Sequence, residues 1–182
     1  MSETADRYRR IAAAFAARVD AVDPPHWSDP SPCSEWTARD VAAHVIGTNR
    51  RVVASLDGSE PVPVDSEGDL ARQWQEASEA VGEALDDQAR ASRTTSGMFG
   101  EQSFESLVSR LLCTDTLIHT WDLARATGQD EHLDPDSVTK ARAFLESLGD
   151  AIRRPGGFAP RIEPAPDADA QTELLNFCGR AV

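Results

Sequence analysis

The sequence predicts an all-α domain, on three observations. Apolar residues recur at spacings of three and four along nearly the whole chain, Gly and Pro gather at a few places, and no long stretch alternates with the period of two that marks a strand. The 182 residues, 40% hydrophobic and 27% charged, suffice for a single unit with its own core at roughly 150 residues per domain. One domain over 1–182 is therefore expected, a helical bundle to about residue 152 and a Pro-rich tail over about 153–182.

The first helix is expected from about Glu3 to Val22, where Tyr8, Ile11, Phe15, Val19 and Val22 form one stripe. Asp23-Pro24-Pro25 ends it, and four prolines within residues 23–36 keep the following connection irregular. Thr37 caps the second helix, with Asp40 three residues on in a variant of the capping box, and Asp57-Gly58 closes it. Its inner stripe reads Val41, His44, Val45, Thr48, Val52, Leu56. A third helix, about Gly68 to Ala91, carries Leu70, Trp74, Ala77, Val81 and Leu85 behind an acidic outer face. A polar connection, Thr94 to Gly100, leads to a fourth helix that starts at Ser103 as N-cap and runs to Thr127, with Gly128 as its stop. A fifth, shorter helix fits about Pro135 to Ile152, its proline near the first position, where a missing donor costs nothing. Pro155-Gly156-Gly157 then ends helical structure. The tail holds one short helical candidate, Asp169 to Cys178, presenting Leu174, Leu175 and Phe177.

Charge and composition exclude several roles. A net charge of −13, from 31 acidic against 18 basic residues, repels a phosphate backbone and an anionic membrane surface alike, so no nucleic acid and no membrane is expected as partner. The longest apolar stretch, Ile11 to Ala17, is far short of the roughly 20 residues that span a bilayer, and no signal peptide is visible. Cys33, Cys113 and Cys178 are odd in number and lack metal-ligand spacing, which points to a reducing, cytoplasmic setting. Cys33 and Cys113 read as small apolar residues rather than nucleophiles.

The informative feature is on the fourth helix. Its core-facing stripe begins Phe104, Leu107, Val108, Leu111, Leu112 and continues at the same spacing with Asp115, His119 and Asp122. An unpaired buried carboxylate costs several kcal/mol, so these side chains must be satisfied by water, by one another or by a cation. Asp115 and His119, at i and i+4, project from one face with Cβ atoms roughly 6 Å apart, within reach of one metal ion. On the second helix His44 stands where an aliphatic residue belongs. Two His and one carboxylate from facing helices form a set that leaves coordination positions open. From spacing alone a plain buried pair of His44 with Asp40 accounts for the second helix equally well. His26 and His132 fall in expected loops and read as surface residues. Asp122 is placed to take an imidazole N–H or to pair with Arg125, and Arg125 to meet a substrate carboxylate or a neighbouring acid on the helix surface.

The string Pro32-Cys33-Ser34-Glu35-Trp36-Thr37-Ala38-Arg39-Asp40-Val41-Ala42-Ala43-His44-Val45, with Asp115-Thr116-Leu117-Ile118-His119-Thr120-Trp121-Asp122-Leu123-Ala124-Arg125-Ala126-Thr127-Gly128, resembles the mycothiol-dependent maleylpyruvate isomerase N-terminal family of the DinB-like superfamily. The stretch from Ala168-Asp169 through Leu174-Leu175 to Gly179-Arg180 is similar to the ending of a single-domain, uncharacterised branch of that family. The resemblance implies a DinB-like four-helix bundle holding a divalent metal, zinc or nickel. The metal ligands fall on His44, Asp115 and His119, with Asp where other branches have Glu or His. It also implies mycothiol as a thiol cosubstrate. Asp122 and Arg125 are the further residues expected to face cofactor or substrate.

The isomerase carries a second, C-terminal domain that contributes to its active site. Here the bundle is followed by the Pro-rich tail, so isomerisation of maleylpyruvate itself is not carried over. The expected activity is transfer or addition of a low-molecular-weight thiol to a small electrophile, or an isomerisation that uses the thiol. Two readings from other classes stand beside it: a hydrolase using metal-bound water, and a non-catalytic, metal-stabilised interaction module. A homodimer stays open as the assembly.

Overall fold

Helix ends in this protein are set by side chains that satisfy the orphan backbone groups there. The computed structural model describes residues 2–97, 100–153 and 157–182. Helix α1 (Glu3–Asp20) starts where the Ser2 hydroxyl accepts the Ala5 N–H at 3.2 Å. Helix α2 (Ala38–Asp57) starts with a reciprocal box: Thr37 Oγ1 accepts the Asp40 N–H, and the Asp40 carboxylate accepts the Thr37 N–H at 2.9 Å. It stops at Gly58, whose φ of 66° lies in the left-handed region that glycine reaches without a Cβ clash.

The third expected helix is two. Helix α3 (Leu70–Asp86) ends at Asp87, which leaves helical conformation and turns its carboxylate to the N–H groups of Ala89 and Arg90, so capping a short helix α4 (Gln88–Ser92). The polar connection after it is a hairpin of strands β1 (Thr94–Gly97) and β2 (Gly100–Ser103), antiparallel with Thr94 opposite Ser103. Met98 and Phe99 lie outside the described residues. Two four-residue strands are too short to show alternation against helical sequence on both sides.

Ser103 then caps the next rod through the Ser106 N–H, as expected. The rod is not uniform: helix α5 (Phe104–Leu107) widens into a π turn (Val108–Leu112) before continuing as helix α6 (Cys113–Thr127), which ends at Gly128. The Arg7 guanidinium of α1 donates to the Ser109 carbonyl (2.8 Å) and hydroxyl (2.6 Å) and ties the wide turn down. Helix α7 (Pro135–Leu148) passes at Gly149 into a 3₁₀ turn over Gly149–Ile152, so the expected helix is α-helical for all but its last turn.

Helices α1, α2, α3 and α6 form the bundle, α1 and α2 each lying against both α3 and α6. In its centre Phe15 meets Trp74 edge-on at 4.8 Å, and the buried Tyr8 hydroxyl donates to Asn49 Oδ1 at 2.7 Å. The expected tail helix, α8 (Ala170–Phe177), packs on α7 and sends Leu174 and Leu175 into the same core. Gln171 ties it to the α6–α7 connection, accepting the Leu133 N–H and donating to the Glu131 carbonyl, both at 2.9 Å. Among the described residues no helix is long and apolar enough to cross a membrane.

Candidate metal centre

Because α2 and α6 lie side by side, their polar core positions meet. His44 Nε2 is 3.2 Å from Asp115 Oδ1, His119 Nε2 is 3.6 Å from the same oxygen, and the ligand atoms of the three residues all lie within 4.8 Å of one another. Ligands bound tetrahedrally at about 2.1 Å from zinc stand about 3.4 Å apart, so this spacing suits one ion. A further observation agrees: the other Asp115 oxygen, Oδ2, is buried and has no hydrogen-bond partner among the described residues. A buried carboxylate oxygen without a donor costs free energy unless a cation supplies the missing charge. Two imidazoles and one carboxylate, a mixed N and O set, suit a divalent transition-metal ion.

The surroundings orient these groups. The indole of Trp36 tilts over both rings, 4.8 Å from His44 and 5.9 Å from His119, forming an apolar wall. Thr48 donates to the His44 carbonyl one turn back (2.9 Å) and accepts from Arg51 (2.8 Å). Of the three candidate ligands His44 is the most exposed, at 30% of its side chain, so the open side of the cluster is on α2.

Behind His119 the polar residues continue. Its Nδ1 donates to Asp122 Oδ2 at 2.8 Å, leaving Nε2 to face Asp115. Asp122 is fully buried, and its cation is Arg180, which follows α8: Nε reaches Oδ1 at 3.1 Å and Nη2 reaches Oδ2 at 2.8 Å. Burial pushes the Asp122 carboxyl up, but the hydrogen bond from His119 and the charge and hydrogen bonds of Arg180 outweigh it and hold it at about 2. Burial likewise works against a charged His119, yet Asp115 on one side and Asp122 and Cys33 on the other hold its imidazole well above the ordinary histidine range. Asp115 sits well below the usual carboxylate range, burial being overcome by His119 and His44. His119 Nε2 and Asp115 Oδ1, 3.6 Å apart, face each other across the place a divalent cation would take.

Cys33, Asp122 and His119 form a second group of ligand-type atoms. Arg180 Nη2 lies 3.2 Å from Cys33 Sγ and 2.8 Å from Asp122, so the positive charge of that group is already a guanidinium. Cys33 is thus a polar partner here rather than a small apolar residue, its Sγ 3.3 Å from Asp122 Oδ2. Arg125 makes its contacts elsewhere, pairing with Glu131 at 2.9 Å with its guanidinium 5.3 Å from the Trp121 ring centre. Asp40 is occupied with its cap. His26 pairs with Asp29, and His132 with Asp130, both histidines well exposed. Sequence reasoning missed Arg180 and the polar role of Cys33. The one available signal was Asp122 itself, a carboxylate in a core stripe that had to find a cation.

Among the hydrogen bonds that hold the loop carrying Cys33 and Trp36 are Ser31 N–H to the Trp36 carbonyl (2.8 Å) and Trp36 N–H to the Cys33 carbonyl (3.1 Å). Inside that turn Glu35 has φ of 66°, a left-handed conformation costing a side chain about 1 kcal/mol. Glu35→Gly should therefore leave the melting temperature unchanged or raise it, whereas the β-branched Glu35→Val should lower stability by more than about 1 kcal/mol. Equal melting curves for the two variants would show that the turn is not held in this conformation.

An all-α bundle with a His, Asp, His cluster of metal-ligand geometry between two of its helices is the class that fold and site define. Residues 8–124 match the mycothiol maleylpyruvate isomerase N-terminal domain family, and the chain belongs to that family. Uncharacterized proteins of Mycobacterium tuberculosis, from strains CDC 1551 / Oshkosh and H37Rv, are each 33% identical to it over 177 residues, 96% of this chain and 96% of theirs. No solved structure matches it significantly.

Proposed function

We propose that this protein is a divalent-metal-dependent enzyme that uses a low-molecular-weight thiol, mycothiol in the first instance, to transfer to or isomerise a small electrophile in the cytoplasm. The observation that carries the reading is the convergence of His44, Asp115 and His119 with one buried Asp115 oxygen unsatisfied. The family description supports the thiol, and the charge of −13 argues against nucleic acid or an anionic membrane as partner.

His44, Asp115 and His119 would hold zinc or nickel. The ion would supply Lewis acidity that favours the thiolate over the thiol near neutral pH. The chain's own residues do the rest. Asp122 takes the Nδ1–H of His119 and keeps its Nε2 turned to the site, while Trp36 keeps water from the faces of both imidazoles. The less buried side, at His44, is where thiol and electrophile would enter.

Cobalt-substituted protein titrated with mycothiol should develop a sulfur-to-cobalt charge-transfer absorption and release a proton, since a free thiol with a pKa of about 8.5 is mostly protonated at neutral pH. A hydrolase would give no such band and would turn over without thiol. A structural ion would raise the melting temperature while remaining closed to thiols. No spectral response of the cobalt protein to millimolar mycothiol overturns the proposal.

A further inference from the structure

We infer that Arg180 is a positioning residue of the metal centre, acting through Asp122 on the ring of His119, and that it links docking of α8 to occupancy of the site. The inference rests on the metal reading above and concerns how that site is held. Arg180 is 58 residues from Asp122 in sequence and buried beside it. Its fork is itself fixed: Nη1 donates to the Cys178 carbonyl at 2.9 Å, and the guanidinium lies 5.4 Å from the Phe158 ring centre. The Arg180 carbonyl accepts from Asn176 Nδ2 at 2.9 Å. A planar fork held this way sets the plane of the carboxylate it grips at both oxygens. That carboxylate, accepting the His119 Nδ1–H at 2.8 Å, sets the ring whose Nε2 faces Asp115.

The consequence is reciprocal. If docking of α8 through Arg180 tightens metal binding by some factor, metal binding tightens the docking of α8 by the same factor. Partners of a ligating histidine beyond the ligands themselves are worth roughly 10–100-fold in metal affinity. For Arg180, one step further out, about 10-fold is expected.

Three measurements on the full chain test this. In metal-free protein the hydrogen-bonded Nδ1–H proton of His119 should give a slowly exchanging resonance that is lost in Arg180→Ala and partly restored in Arg180→Lys, which keeps the charge without the fork. Zinc affinity, by competition with a chelator, should fall about 10-fold in Arg180→Ala. Zinc should slow amide hydrogen exchange in α8 of the wild type and not in Arg180→Ala. Glu173→Gln, which removes the ion pair of α8 with Arg142, is the control: it loosens α8 but should leave the His119 resonance intact. Should Arg180→Ala fail to fold, the Lys variant carries the same three readouts. A wild type that takes up no zinc overturns the metal reading, and the His119 resonance then still decides whether Arg180 positions the ring. Unchanged zinc affinity and an unchanged His119 signal in Arg180→Ala, with α8 exchange indifferent to zinc, overturn the inference.

Discussion

His119→Ala protein should purify without stoichiometric zinc or nickel. The substitution leaves only His44 and Asp115, 3.2 Å apart on two helices, and two ligands rarely hold a divalent ion against water and chelators. The loss should exceed by far the 10–100-fold expected of Asp122→Ala, which removes only the partner of the ring. Metal analysis after dialysis against a mild chelator distinguishes the two: nothing retained for the first, a weakened but measurable site for the second. Full occupancy in His119→Ala would mean that the ion is held elsewhere.

Leu175→Ala should be strongly destabilising although it lies outside the site and near the end of the chain. Leu175 is completely buried in the main core, and removing a buried leucine side chain costs about 2–5 kcal/mol through lost transfer energy and the cavity left behind. For a chain of this size that lowers the melting temperature by about 4–20 °C. Val62→Ala, at a residue 67% exposed, should change stability by less than about 0.5 kcal/mol. Comparable melting of the two variants would show that α8 is an appendage and not part of the core.

What could be read from the sequence was what is decided locally. The caps at Thr37 and Ser103 and the stop at Gly128 lie within a few residues of the ends they determine, and all three stand where expected. The break at Asp87 escaped because an aspartate inside an acidic helix resembles any other solvated residue until its carboxylate turns to the next helix. His44, Asp115 and His119 were legible because each is a polar residue in an apolar stripe. Arg180 and Cys33 were not, since the contacts that define them span 58 and 89 residues to Asp122. Local reasoning offered Asp122 the nearby Arg125. The fold gives Arg125 to Glu131 instead and brings the guanidinium in from the far end of the chain.

The wide turn at Val108–Leu112 has a bearing on how such a site is gained or lost. Its hydrogen bonds span five residues where an α-helix spans four, so the rod accommodates one surplus residue without breaking. Each residue of an α-helix advances the face by roughly 100°. Everything after the surplus residue, including Asp115, His119 and Asp122, is therefore rotated by about that angle from where an uninterrupted helix would aim it. Deleting one codon there would take out the surplus residue and leave a regular α-helix whose acidic and imidazole side chains still face His44, because the wide turn absorbs the extra rotation of about 100°; straightening the turn with every residue kept would aim them past it. The site thus depends on backbone geometry as well as on residue types: a relative one residue shorter at this turn would keep the site on a regular helix, whereas a relative with every residue kept but no wide turn would lose it.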